Sequence, residues 1–103
     1  MATNNTLGII VNSNRFFEEV THLVDAALED QKKIRMHLLG PGWAYIHTRA
    51  YQRLRKAVYI SLCAISAYQY AAEYIDLKDN SISVVDPREL SKLLKDCYRY
   101  VVF

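Results

Sequence analysis

Cys63 is the residue of this sequence that is best placed to do chemistry. It follows a run of strand-forming residues, 58–62, and precedes a stretch rich in alanine, which favours helices. The sequence therefore predicts a strand that ends at this cysteine and a helix over roughly 64–74. The unpaired N–H groups and the positive dipole end of a helix stabilise an anion, so they lower the pKa of a thiol at that position. Because the thiolate is the nucleophilic form, this placement indicates a reactive cysteine; the alternative is a small buried thiol that only packs.

The binding residues that we expect near Cys63 follow the other strands of the sheet. In an open α/β sheet, ligands collect at the carboxyl ends of the strands. Six residues fall in the loops that would meet at this edge: Asn12, Ser13, Gly40, Gly42, Trp43 and His47. His47 is of most interest among the three histidines, because an imidazolium beside Cys63 would stabilise its thiolate. An ordinary structural or surface role is the alternative for each histidine.

Other chemical classes lack their motifs in this chain. Cys63 and Cys97 are the only cysteines, and they have neither zinc-site spacing nor the pattern of a disulfide framework. We expect Cys97, at the start of the last strand, to pack rather than react. The chain has no GxxxxGK and no GxGxxG loop, so nucleotide hydrolysis is not expected.

The composition indicates a single ordered domain over residues 1–103. Hydrophobic residues make up 51% and charged residues 23%, which argues against disorder. The formal net charge of +2 is too small to indicate a nucleic-acid partner. Eight tyrosines suit half-buried faces and subunit interfaces. With no signal-peptide pattern, no membrane-spanning run and two unpaired cysteines, the expected location is the cytoplasm, away from any membrane.

Apolar patterns alternate between the strand period and the helix period along the chain. Short apolar runs predict five strands, over 7–11, 34–39, 58–62, 81–85 and 98–103. Helical spacing predicts helices over roughly 16–28, 48–56 and 64–74, and from 87 onward. Ser13 or Asn14 is predicted to cap the first helix, and Asp86, before Pro87, to cap the last. The predicted buried stripe of the helix after Cys63 is Ile65, Tyr68, Ala72 and Ile75. This alternation predicts an α/β fold, a single-domain three-layer sandwich with helices on both faces of a mostly parallel five-stranded sheet.

Several stretches of the chain resemble the DsrE/F-like (DsrEFH, TusBCD) sulfur-relay family. The stretch VYISLCAISAYQYAAEY at 58–74 looks like the family segment in which a strand delivers one cysteine into an alanine-rich helix. Residues 89–103 resemble its closing leucine-bearing helix and terminal strand, and LLGPG at 38–42 resembles its turn after strand two. The resemblance implies a DsrEFH-like, flavodoxin-like topology and assembly into homo-oligomers or hetero-oligomers with sister subunits.

The resemblance also implies a chemical role for Cys63. In the relay members, the matching cysteine carries a persulfide and passes its outer sulfur to a partner cysteine. Carried over, Cys63 is the catalytic residue of a sulfurtransferase-like persulfide carrier, with sulfur donor and acceptor proteins as partners. Neither a metal nor an organic cofactor is expected, in line with the sulfur chemistry that the family resemblance implies for Cys63. Two alternatives stay open: a non-catalytic oligomeric interaction subunit with a tyrosine-rich surface, and a small-ligand or nucleotide-binding module at the edge formed by Asn12, Gly42 and Cys63.

Overall fold

In the computed structural model, which describes residues 4–71 and 83–103, five strands form one sheet in the order β4-β3-β2-β1-β5. The strands are β1 (Thr6–Val11), β2 (Lys33–Leu38), β3 (Tyr59–Cys63), β4 (Ser83–Val85) and β5 (Arg99–Val102). The helices are α1 (Phe17–Glu29), α2 (Arg49–Leu54), α3 (Ala64–Ser66) and α4 (Arg88–Asp96), with a 3-10 helix at Gly40–His47 and a π-helical turn at Ala67–Ala71. Among the described residues, no helix combines the length and the apolar character needed to cross a membrane.

All four strand pairings are parallel, which confirms the predicted fold class. The strand order differs from the 2-1-3-4-5 order of flavodoxin. The first three crossovers each step to the next neighbour in one direction, and the last returns to the far side of β1. Because parallel crossovers are right-handed, the β1–β2 and β2–β3 connections cover one face of the sheet and α4 covers the other.

Two apolar clusters reflect these two layers. The larger one joins the sheet to α1, the 3-10 helix and α2, and its fully buried members include Ile9, Val11, Val20, Val24, Met36, Leu38 and Tyr45. In the smaller cluster, Leu93 and Cys97 of the α4 layer pack on Ile10. Gly8 permits this approach, because a Cβ there would lie 2.7 Å from Leu93 Cδ2 and 3.2 Å from Cys97 Sγ. The predicted packing role of Cys97 is confirmed, and burial raises the pKa of its thiol.

A capping hydrogen bond at the start of α4 and ion pairs to the sheet along its length stabilise this helix. The Asp86 carboxylate accepts a hydrogen bond from a backbone N–H of the first turn at 2.8 Å, although Pro87 occupies the N-cap position, one residue later than predicted. Arg35 on β2 forms ion pairs with Glu89 at 3.6 Å and with Asp96 at 3.1 Å. These carboxylates lie about two helical turns apart, so one guanidinium contacts both the first and the last turn of the helix.

The helix α1 begins later than predicted. Phe16 is its N-cap and makes no side-chain capping bond, so the prediction of Ser13 or Asn14 as the cap is wrong. Phe17 instead packs edge to face on Tyr45, with ring centroids 5.2 Å apart. This aromatic contact positions the first turn where the sequence predicted a polar cap.

The segment after Cys63 is not the regular helix that was predicted. α3 lasts three residues and passes directly into the π-helical turn. Ile65 is 53% exposed and Tyr68 is 74% exposed, so the predicted buried stripe is wrong at both positions. The other two predicted members, Ala72 and Ile75, lie outside the described residues.

A polar contact explains which face of this segment is buried. Ser66 and Ala67 are buried instead of the predicted residues. The Ser66 hydroxyl accepts a hydrogen bond from the N–H of Gly40 at 2.8 Å. Because of that bond, the face of the segment that carries Ser66 lies against the 3-10 helix. The spacing of apolar side chains alone does not predict this orientation.

Tyr45 generates a test of the core. It is fully buried, and because Thr21 donates to the carbonyl of Phe17 at 2.9 Å, the Tyr45 hydroxyl donates to Thr21 Oγ1 at 2.6 Å. Burial raises the pKa of this phenol. We expect Tyr45→Phe to lower the free energy of unfolding by about 1 kcal/mol, the net worth of one hydrogen bond. Tyr45→Ala should cost about 3–5 kcal/mol, because it leaves a large cavity. Urea unfolding measures both, and equal losses in the two variants would contradict this account.

Candidate functional site

Cys63 lies where a strand end and a helix start meet. It is the last residue of β3 and the N-cap of α3, as the sequence predicted. It is a free thiol, and only 6% of the residue is exposed. Cys63 therefore lies at the carboxyl edge of the sheet but is buried beneath its neighbours.

A buried histidine and a buried serine share the sheet face of Cys63. Because side chains alternate along a strand, Ser61 and Cys63 lie on the same face of β3. His37 pairs with Ser61 across the β2–β3 ladder. It is fully buried, and its Nδ1 lies 2.8 Å from Ser61 Oγ. The structure therefore groups a thiol, a hydroxyl and an imidazole on one face of two neighbouring strands.

His37 and Ser61 share one buried side-chain hydrogen bond. Ser61 Oγ also lies 3.3 Å from the carbonyl oxygen of Met36, so the hydroxyl is within hydrogen-bonding distance of both groups. The other ring nitrogen, His37 Nε2, is buried and has no hydrogen-bond partner within the described ranges. An unpaired buried polar nitrogen lowers stability, so the packing around this ring must offset its cost.

The pKa of His37 gives a pH test. Burial is the main cause that lowers this pKa below 6.5; Glu89 opposes the change and Arg35 adds to it. The neutral ring therefore contributes stability that is fully present above the unfolded-state pKa of about 6.5 and is lost as the pH falls from there through the lower folded-state pKa. We expect the free energy of unfolding to fall as the pH drops below about 6.5, and to fall less in His37→Gln, whose amide does not titrate.

Chemical unfolding at a series of pH values measures this difference. His47→Gln is the matched control for the substitution itself, since it makes the same change at an exposed histidine. The same pH dependence in wild type and His37→Gln would show that the buried imidazole does not contribute.

Gly40 and Gly42 bring the 3-10 helix against the end of β1. Gly40 has φ +48°, in the left-handed region that favours glycine, and its amide donates to Ser66 Oγ. A Cβ at Gly42 would overlap the carbonyl oxygen of Val11. Gly40 therefore serves the left-handed turn and Gly42 the close approach to β1, and the bond from Gly40 to Ser66 joins this turn to the segment that follows Cys63.

Asn12 and Ser13 lie in the loop after β1, beside this contact. Asn12 is exposed, and its Oδ1 would lie 3.2 Å from a Cβ at Gly40, so the two residues adjoin. Ser13 is half-buried, and its Oγ finds no hydrogen-bond partner in the part of the chain that the structure describes. The structure thus brings together the ends of β1 and β2, as the sequence predicted for a parallel sheet.

Trp43 and His47 pack on each other at the far end of the 3-10 helix. Their rings meet edge to face, with centroids 5.2 Å apart, and His47 is exposed. The expected pairing of His47 with Cys63 stays a prediction. His37 is the histidine on the Cys63 face, and sequence reasoning gave it no special place. Its position inside a buried strand was a signal, but the register that sets it beside Ser61 cannot be read from one sequence.

The chemistry available here is that of a single sulfur nucleophile. Within residues 4–71 and 83–103, no three His, Cys, Asp or Glu side chains come together as a metal-binding group. Cys63 supplies that sulfur at the N-cap of the three-residue helix α3. Thiol–disulfide and thiol–persulfide exchange proceed by attack of a thiolate on a sulfur atom.

The glycine contact at the site generates a further test. We expect Gly42→Ala to be more destabilising than Gly40→Asn. An alanine Cβ at 42 overlaps the main chain of β1, and such overpacking typically costs about 1–3 kcal/mol. Asparagine tolerates the left-handed region, and at 40 it would meet the flexible side chain of Asn12. Thermal or urea unfolding separates the two, and equally small losses would contradict the close approach at Val11.

Comparison with known proteins identifies a fold neighbour. The chain superposes on the crystal structure of the ychN protein from E. coli with a TM-score of 0.76, over 98% of this chain and 100% of that chain, at 13% sequence identity. No protein-family model and no curated protein sequence matches the chain. At this identity the likeness establishes a shared α/β fold with a five-stranded parallel sheet, and function has to be argued from the site.

Proposed function

We propose that this protein is a sulfur-relay persulfide carrier in which Cys63 accepts a sulfane sulfur and passes it on. The observation that carries the proposal is the position of Cys63 at the junction of β3 and α3, at the carboxyl edge of a parallel sheet. The DsrE/F-like resemblance of the sequence supports it, and so does the fold shared with ychN, a protein of DsrE/F-like fold.

The proposed chemistry is two successive sulfur transfers. The Cys63 thiolate attacks the outer sulfur of a donor persulfide; the new S–S bond forms as the donor S–S bond breaks, and the donor leaves as a thiolate. The thiolate of an acceptor then attacks the outer sulfur on Cys63, and the Cys63 thiolate is the leaving group. No oxidant or reductant is consumed, and the chemistry requires no metal or organic cofactor.

The burial of Cys63 sets a condition on these transfers. An attacking thiolate must approach along the axis of the S–S bond, whereas only 6% of Cys63 is exposed. The next residues, 64–71, change from α-helix to π-helix, a rare geometry that is frequent at functional sites. The proposal therefore includes a displacement of this segment when a donor or acceptor docks.

The proposed setting is a cytoplasmic assembly of protein subunits. A reducing compartment keeps Cys63 as a free thiol between transfers. The proposed partners are a sulfur donor and a sulfur acceptor protein, with this chain in a homo-oligomer or with sister subunits. Exposed aromatic side chains supply surface for such contacts, and they include Tyr68, Tyr70, Tyr98 and Tyr100.

The second candidate is a non-catalytic interaction subunit of such an assembly. The low exposure of Cys63 favours it, because a buried thiol packs without reacting. In this case alkylation of Cys63 in the folded protein would be slow at every pH at which the protein stays folded. Alkylation rates in the folded and the denatured protein therefore discriminate between the two candidates.

Sulfur loading tests the proposal directly. After incubation with polysulfide, intact mass spectrometry should show wild type with one added sulfur that a thiol reductant removes. Cys63→Ser should gain none. Cys97→Ser is the matched control, because Cys97 is also a buried free thiol, and it should load like wild type. No loading of wild type, or equal loading of Cys63→Ser, would refute the carrier.

A further inference from the structure

We propose that β5 pairs edge to edge with β5 of a second copy of this chain, in an antiparallel continuation of the sheet about a twofold axis. β5 is an outer strand in the sheet order, with β1 on its inner side. No strand of residues 4–71 or 83–103 pairs with its outer side. The inference does not depend on Cys63 or on its sulfur chemistry.

The backbone of β5 presents free hydrogen-bonding groups. Phe103 faces β1, because its N–H donates to Ile10 at 2.8 Å and its carbonyl accepts from Asn12 at 2.7 Å. Backbone groups alternate between the two sides of a strand, so the N–H and C=O groups of Tyr100 and Val102 point to the open side. A second extended strand can satisfy this row of free N–H and C=O groups.

Apart from Arg99, β5 carries apolar and aromatic side chains, which are exposed on both faces of the sheet together with that of Tyr98 just before the strand. Tyr98 is 45% exposed, Tyr100 53%, Val101 37% and Val102 57%. Natural sheets protect their edges with charged side chains, lysine above all, and with proline, bulges or very short strands. The strand at the other edge, β4, is three residues long, whereas β5 has four residues, no proline and no lysine, and Arg99 at its start is its single charged residue. β5 therefore has the properties of an edge that is covered in the native assembly.

The exposed area indicates the strength of the contact. A tyrosine buries about 150–250 Å², so two half-exposed tyrosines offer roughly 200 Å² per copy. With the two valines, β5 contributes on the order of 600 Å² from two copies, about half of the roughly 1,200 Å² at which stable interfaces begin. The main chain and the flanking helix α4, where Leu94 is 38% exposed, must supply the rest. This points to a dimer of moderate affinity.

The charge pattern fits a second copy. In a twofold antiparallel pair, each residue lies opposite one whose side chain is on the same face. Arg99 is the only charged residue of β5. A register centred on Tyr100 places it opposite Val101 of the other copy, and a register centred on Val101 places it opposite Phe103. The two arginines are therefore not opposed, and like charges directly opposite would destabilise the pair.

Sedimentation velocity over a series of dilutions tests the proposal. We expect wild type to dimerise, or to form a larger assembly built from such dimers. The variant Tyr100→Lys/Val102→Lys should weaken association at least tenfold and halve the mass, because it places like charges across the twofold axis. Both side chains are more than half exposed, so the fold should tolerate them. Tyr59→Lys is the matched control, since Tyr59 is 47% exposed on β3, and it should associate like wild type.

Three outcomes would overturn the inference: a wild type that stays monomeric at all concentrations, a double variant that keeps the wild-type mass, and a Tyr59→Lys variant that dissociates as far as the double variant. Circular dichroism verifies folding. If the double variant is unfolded, Val102→Lys alone gives the same comparison. Sulfur loading of the same proteins is read separately, so failure of the interface and failure of the carrier remain distinguishable.

Discussion

Parallel pairing of β1, β2 and β3 is the constraint on which the rest of the structure depends. It brings the ends of all three strands to one edge, where Val11 meets the 3-10 helix and Cys63 meets α3. It also decides which side chains lie on the same face of the sheet. Because His37 lies opposite Ser61, every second residue counted from these two along β2 and β3 lies on their face of the sheet. A one-residue slip of β3 would move Ser61 and Cys63 to the opposite face, away from His37. Which side chains meet at the candidate site is therefore decided first by the register of β2 and β3, and only then by the loops.

The two faces of the sheet are held by different forces. On one face, α1, the 3-10 helix and α2 bury a continuous apolar layer that contains Tyr45 and its paired hydroxyl. On the other, α4 packs a small cluster around Leu93 and is tied to β2 by Arg35. The polar groups His37 and Ser61 lie on this second face, where they bond mainly to each other. The chemistry-bearing side chains thus belong to the less apolar side of the sheet.

Sequence reasoning succeeded where the signal was local. The apolar run over 58–62 and the alanines after Cys63 were enough to predict a strand that leads into a helix, and alternation of periods was enough to predict a parallel sheet. It failed where distant contacts decide. The burial of Ser66 in place of Ile65 follows from a bond to Gly40, 26 residues away.

Local sequence patterns could not predict two other features of the structure. The start of α1 is set by a ring contact between Phe17 and Tyr45, so the polar residues before it gave a wrong cap. The proximity of His37 to Ser61 depends on the register of β2 and β3, which one sequence does not encode in any readable form. The placement of Cys63 at an edge was readable, but its burial depends on the packing of the whole segment around it.

The hydrogen bond from Gly40 to Ser66 has a practical consequence. Trp43 is the only tryptophan of the sequence, and it lies in the 3-10 helix that this bond joins to the residues following the thiol. Any motion that moves Ser66 away from the sheet must either break that bond or carry the 3-10 helix along. Indole emission responds to changes in its surroundings, so the unlabelled protein contains its own optical reporter on the element next to its thiol.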